Sequence, residues 1–242
     1  MNSEEKRIAI FIDADNAPAD KFEFILSELA KHGVVNIRKA YGNWKSTRLK
    51  KWESILFDYS IQPIQQFDLS KGKNATDIAL VIDAIDTLYT KNMDVFCIVS
   101  SDGDFTPLVT RILSEGKMVL GFGERKTPAA FVNACSTFLY LGETDNSQPE
   151  KDDETQVKFS AKELKSDTKL INLIRNAIKA GEDDNGWANL SSVGNHIKNQ
   201  ASFDPRNYGY DKLGELISRI DLFETAKGEK GGIVVRDKRR TK

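Results

Sequence analysis

Roughly the first 140 residues alternate between short β-type apolar runs and helical patterns, and few folds accommodate that alternation. The runs are 8–12 (IAIFI), 35–41, 61–67, 95–100 (VFCIVS), 117–122 and 138–141. Helical patterns fall between them at about 18–31, 46–58, 75–90, 105–115 and 128–135. Pro18 suits a first helical turn, and Gly33 and Gly116 suit helix ends. Strands separated by helices are joined by crossovers. The pattern therefore predicts an α/β fold, a mostly parallel sheet flanked by helices on both faces. Such sheets bind ligands beyond the carboxyl ends of their strands.

Acidic residues gather at those ends. Asp13 closes the first run, with Asp15 and Asn16 in the following turn; Asp102 follows VFCIVS, Asp104 comes two residues later, and Asp77 opens the 75–90 helix. Carboxylates at adjacent strand ends repel one another unless a cation lies between them, which points to Mg²⁺ or Mn²⁺ and to phosphate chemistry. Ordinary readings stay open beside this one: turn residues at 13–16, a helix cap at Asp104, a helix-dipole contact at Asp77. Asp83 and Asp86 point about 120° and 180° around the helix from Asp77, so they are expected in solvent or in support, outside the pocket.

Basic and aromatic residues interleave at 38–52 (RKAYGNWKSTRLKKW). Tyr41, Trp44, Lys45 and Arg48 leave the second strand beside Asp13, where rings and cations suit a single nucleic-acid strand. An amphipathic helix with Trp52 in the core explains the same pattern. Lys71 and Lys73, just before Asp77, and Arg125 and Lys126, after the fifth strand, complete the candidate RNA contacts of this region.

Residues 143–160 are polar and acidic and read as a linker between domains at 1–142 and 161–238. The second segment shows helical periodicity and closes on a β-type pair, LFET and GIVVRDK. It predicts three helices with a terminal hairpin, a small winged-helix-like α+β domain, followed by a frayed basic tail. Ser191 and Ser192 suit the cap of the helix carrying His196. Arg206, Tyr208, Tyr210 and Lys212 are candidate RNA contacts, with Tyr208 and Gly209 equally suited to a structural turn.

Several classes are disfavoured. A net charge of −1 gives no global attraction for nucleic acid, so any binding rests on local patches. Cys97 and Cys135 lack zinc-site spacing and read as core thiols, and with His32 and His196 the only histidines, a Ser–His–Asp or Cys–His catalyst has little to draw on. The start MNSEEKR has no apolar leader and no run approaches ~20 apolar residues, so a cytoplasmic protein without a membrane span is expected. A homo-oligomer is left open.

The segments FIDADN, TDIALVIDA and SSDGDFTPLV, followed by LGFGERKTPAAFVNACSTFLYL, resemble the NYN family over about residues 6–141. That family is similar to PIN-domain ribonucleases and includes LabA-like bacterial proteins. The resemblance implies a metal-dependent ribonuclease, endonuclease rather than exonuclease, cleaving single-stranded RNA by metal-activated water. It assigns Asp13, Asp77 and Asp102 to Mg²⁺ or Mn²⁺, Asn16 to the polar position after the first aspartate, and Asp104 to the second acidic residue of an S-x-D-x-D-F run beginning at Ser100 or Ser101. Residues 167–237, with SDTKLINLIRNAI, GWANLSSVGNHIK and GGIVVRD, resemble the LOTUS (OST-HTH) domain, which implies RNA binding, G-rich or quadruplex RNA in several members. Two alternatives stand beside the ribonuclease: an RNA-binding regulator with an inactive nuclease fold, and a haloacid-dehalogenase-type phosphatase. For the phosphatase, Ala17 stands where Thr or Val is wanted, and Lys117 is a weak candidate for its lysine.

Overall fold

The computed structural model describes residues 5–66, 74–142, 158–228 and 231–240. Lys71, Lys73 and residues 143–157 of the expected linker lie outside them. The chain divides into two compact units, residues 1–143 and 144–242.

In the first unit the elements run β1 (Arg7–Asp13), α1 (Phe22–Leu29), β2 (Val34–Gly42), α2 (Lys50–Leu56), β3 (Gln62–Gln65), α3 (Ala75–Thr90), β4 (Val95–Val99), α4 (Thr106–Ser114), β5 (Met118–Gly123), α5 (Ala129–Ala134) and β6 (Thr137–Tyr140). The strands form one parallel sheet in the order β3-β2-β1-β4-β5-β6, as the alternation predicts. The helices are shorter than their sequence patterns because 3₁₀ turns at Ala19–Lys21, Thr47–Leu49 and Gly103–Phe105 lead into α1, α2 and α4.

β1 and β4 are the central pair, covered on both faces, which is why Ile8–Ile12 and Val95–Val99 are apolar at every position and fully buried. Ile8, Ile10, Ile12, Cys97 and Val99 pack against Phe22, Ile25 and Trp52 on one face. Ala9, Phe11, Phe96 and Ile98 pack against Leu80, Ala84, Leu108 and Ile112 on the other. Both cysteines are free and buried, and burial pushes their thiols up, Cys135 to about 12, as suits inert core residues. The winding reverses between β1 and β4, so the crevice at their carboxyl ends is the switch point of the sheet.

α3 is fastened to β2 by a polar clasp. Lys39 Nζ donates to both Asp83 oxygens at 2.8 Å, and Tyr41 Oη donates to Asp83 Oδ2 at 2.6 Å. Of the two roles expected for Asp83, solvent or support, the position of β2 beside α3 gives it the second, as an ion-paired anchor.

The second unit contains α6 (Ala161–Ser166), α7 (Thr168–Gly181), β7 (Ala188–Asn189), α8 (Leu190–Gln200), α9 (Leu213–Arg219), β8 (Phe223–Lys227) and β9 (Ile233–Asp237). The strands form an antiparallel sheet in the order β7-β9-β8 over a core that includes Leu170, Ile174, Ile178, Val193, Ile197, Leu216 and Val235. The described helices number four rather than three because Asp167 ends α6 and caps α7, accepting from Leu170 N at 3.0 Å. The cap of α8 is Asn189, which accepts from Ser191 N at 2.9 Å, and not Ser191 or Ser192. The tail is tied down through Lys238–Arg240: buried Asp237 holds Arg239 Nη2 at 2.7 Å and Arg175 Nε at 3.1 Å. Among the described residues no helix is long and apolar enough to cross a membrane.

Asp83→Ala should destabilise the first unit by about 2 kcal/mol, because it strands the Lys39 ammonium and the Tyr41 hydroxyl. Asp86→Ala, at an exposed position of the same helix, should stay within about 0.5 kcal/mol of the parent. Thermal melts of both variants measure the difference.

Candidate metal centre and nucleic-acid interface

Asp13 ends β1, and its side chain is drawn into the sheet end with only 1% exposure. Its Oδ2 accepts from Ser100 Oγ at 2.7 Å and Asn16 Nδ2 at 3.0 Å, while its Oδ1 is buried without a hydrogen bond among the described residues. Burial raises the Asp13 pKa, Ser100 and Asn16 oppose that rise, and the Asp15 charge adds to it. An ionised oxygen in that position carries a desolvation cost that its two donors, both on Oδ2, offset only in part.

Ser100 is the hinge of the arrangement. It follows β4, is 1% exposed, and its Oγ both donates to Asp13 and accepts from Asp102 N at 3.0 Å. One hydroxyl therefore ties together the ends of the two central strands. The neighbouring β5 has to lack a side chain here: a Cβ on Gly123 would stand 2.5 Å from the Ser100 carbonyl oxygen and 2.7 Å from Thr127 Oγ1. Ser101 faces β5 instead, accepting from Glu124 N at 2.8 Å.

Asp102 Oδ1 accepts from Asp104 N at 2.8 Å and so caps the turn at Gly103–Phe105. The capping role that the sequence offers to Asp104 belongs to Asp102, whose extended backbone precedes the turn. Asp104 is exposed, and its Oδ2 accepts from Asn74 Nδ2 at 3.4 Å, which links the start of α3 to the turn after β4. Asp77, in the first turn of α3, completes the group. Its pKa is pushed up to about 6, first by burial and then by the charges of Asp13, Asp102, Asp104 and Asp15. Five carboxylates from three stretches of chain thus share one electrostatic neighbourhood.

Two features fit a divalent cation at this position: the buried Asp13 Oδ1 without a donor among the described residues, and the raised pKa that burial, and after it four other carboxylates, give Asp77. The donors are all hard oxygens, the set that suits Mg²⁺ or Mn²⁺. As the side chains lie, no three acidic, His or Cys residues among the described ones are close enough to enclose an ion.

The candidate RNA contacts fare unequally. Tyr41 is fully buried, stacked on Phe11 and bonded to Asp83, so it is a core residue and offers no face to a base. Alternation along β2 sends its ring toward α3 instead of into the crevice. Trp44 is half-buried and held, its Nε1 donating to Ile64 O at 3.0 Å and its backbone N–H to Gln65 Oε1 at 3.0 Å. Lys45 and Arg48 are exposed on the same connection. The Arg125 guanidinium lies 5.5 Å from the centre of the Tyr140 ring, and Lys126 pairs with Glu124 at 2.5 Å.

In the second unit Arg206 is taken up by Asp204, with Nε–Oδ1 at 2.8 Å and Nη2–Oδ2 at 2.7 Å. Tyr208 packs its ring among Phe159 and Phe203, and Tyr210 is buried with Oη donating to Phe159 O at 2.7 Å. Gly209 follows in the left-handed region at φ 80°, as the structural reading of this turn requires. Arg206, Tyr208 and Tyr210 are therefore structural here, and Lys212 alone of the four is exposed. Sequence reasoning missed the bridging role of Ser100, the Asn74–Asp104 link and the Asp83 anchor. For Ser100 the signal was available only with the register, since Ile12 pairs with Val99 and so sets residue 13 beside residue 100.

The charge cluster has a measurable cost. With a folded pKa of about 6 against an ordinary value near 4, ionisation of Asp77 opposes folding; its contribution is fully present below about pH 4 and lost as the pH rises through about 6. Asp77→Asn should therefore melt a few degrees above the parent at pH 7 in EDTA, about 1–2 kcal/mol allowing for partial solvent screening, and the gap should close below about pH 4. Melting curves across pH 3.5–8 check this.

Residues 7–142 match the family model of the NYN domain, and residues 164–235 match that of the OST-HTH/LOTUS domain, in that order. An uncharacterised protein of Methanocaldococcus jannaschii is 26% identical over 152 residues, covering 61% of this chain; the chain spans about 60% of that relative's length. The crystal structure of a protein of unknown function from Vibrio parahaemolyticus aligns with a TM-score of 0.48 at 22% identity, covering 59% of this chain and 98% of the other. With more than half of its length matched and the parallel sheet in place, the chain belongs to the NYN domain family.

Proposed function

We propose that this protein is a metal-dependent endoribonuclease whose C-terminal unit holds RNA near the cleavage site, and that it works in the cytoplasm. The observation that carries the reading is the convergence of Asp13, Asp102, Asp104 and Asp15 on Asp77 at the switch point of the sheet. Asp13, Asp77 and Asp102 would hold Mg²⁺ or Mn²⁺. When bound there, the ion screens the carboxylates from the RNA phosphates, polarises the scissile phosphate and lowers the pKa of water for in-line attack.

The chain's own groups prepare this chemistry. Ser100 and Asn16 fix Asp13 through Oδ2, which leaves its Oδ1 without a competing donor among the described residues. Asn16 is exposed and its carboxamide can orient a water or a phosphate oxygen. Asn74 keeps Asp104 near the start of α3. Lys45, Arg48 and the half-buried Trp44 on one connection, Lys71 and Lys73 ahead of α3, and Arg125 and Lys126 after β5 supply the cations that a negatively charged pocket needs to draw an RNA strand. A single RNA bound by the second unit is presented to the first at raised effective concentration. Lys212 belongs to that binding surface. The phosphatase alternative has no support in the family matches.

Labelled single-stranded RNA incubated with Mn²⁺, Mg²⁺ or EDTA tests the proposal. Cleavage should need the metal, proceed on a circular RNA without ends, and fall at least about 100-fold in Asp13→Asn and Asp102→Asn. RNA retained without cleavage under either metal would replace the nuclease with a binding regulator.

A further inference from the structure

α3 buries Leu80, Ala84, Thr87 and Leu88 and turns an equally apolar face to solvent. Ile78, Ile82 and Tyr89 are 60%, 57% and 56% exposed, and half-buried Ile85 lies between them. A helix on the outside of a sheet normally carries charged residues there. The positions 78, 82, 85 and 89 are spaced four, three, four, the pattern of a helix–helix seam. Tyr89 does not hang free: the Arg111 guanidinium lies 5.5 Å from its ring centre and bonds its hydroxyl, which in turn donates to Glu115 Oε1 at 3.3 Å. A held Tyr beside an Arg is the kind of pair that anchors protein interfaces.

We infer that this seam is a self-association surface, occupied by α3 of a second copy lying antiparallel. The spacing is symmetric about the middle of the helix. A two-fold axis between residues 83 and 84 sets Ile78 against the second copy's Tyr89 and Ile82 against its Ile85, so the patch is complementary to itself. Antiparallel pairing opposes the helix dipoles. It also brings Lys91 at one end over the acid-bearing start of the other helix, near Asp77. A parallel pairing would set the two acidic ends together. Asp86, beside the seam, falls near the second copy's Ala79, so no like charges meet. RNA does not suit this face, since Ala75–Thr90 contains no basic residue. Four side chains per copy cover less than the ~800 Å² per partner of a standard interface, so the dimer is weak, with a Kd on the order of 10 μM. The pairing does not depend on nuclease activity.

Sedimentation velocity of the full chain, from about 1 to 100 μM, should show a monomer passing into a dimer. Ile82→Glu should abolish the shift, while Phe57→Glu, at a still more exposed apolar residue just past the end of α2, should leave it unchanged. Mixing Ile78→Cys with Tyr89→Cys protein under mild oxidation should give a cross-linked heterodimer in preference to either homodimer. A monomer at 100 μM overturns the inference, as does a dimer that survives Ile82→Glu or a cross-link formed by Ile78→Cys alone.

Discussion

The first unit is organised around a repulsion that it brings together and does not relieve. Asp13 closes the strand at the centre of the sheet and is buried, yet one of its oxygens finds no donor among the described residues. Around it stand carboxylates from the turn after β1, the turn after β4 and the first turn of α3, and burial first and then their charges raise the Asp77 pKa to about 6. A fold selected for stability alone would not collect them. The surrounding scaffold is specific in response: Ser100 joins the two strand ends with one hydroxyl, and Gly123 leaves the space that Ser100 needs. Function at this site is a matter of what is added to the charge cluster, since its carboxylates supply hard oxygens of the kind that suit a divalent cation.

α3 connects several parts of the account. Its first turn carries Asp77, its middle is fastened to β2 by the Lys39–Asp83–Tyr41 clasp, and its outer face carries the apolar seam. The same sixteen-residue helix therefore bears the pocket on one side and a surface suited to a second copy on another. Rotation of α3 about its axis would alter both. Asp83 lies a turn and a half beyond Asp77, and its anchorage limits that rotation.

Most of the architecture was legible in the sequence because alternating elements and doubly buried strands leave unmistakable apolar runs. IAIFI and VFCIVS read as strands, and their carboxyl ends placed Asp13 and Asp102 at the top of the sheet. The misreadings occurred where a residue's role depends on a neighbour distant in sequence. Tyr41 looked like a stacking platform because it stands among lysines, but the pleat of β2 turns it inward to Asp83. Arg206 looked like an RNA contact until Asp204, two residues earlier, was seen to occupy its guanidinium. The exchange of roles between Asp102 and Asp104 turned on which residue keeps an extended backbone before the turn, and Asp167 split one apparent helix in two by capping the second. None of these features changes the hydrophobic pattern, which is why periodicity could not show them.

The central claim is that the carboxylate cluster is a cation site, and calorimetric titration of the full chain with Mn²⁺ tests it most directly. Saturable binding of one or two ions, lost in Asp13→Asn and retained in Asp86→Asn, is the result this account predicts. No saturable binding, or binding that Asp13→Asn leaves unchanged, would contradict it.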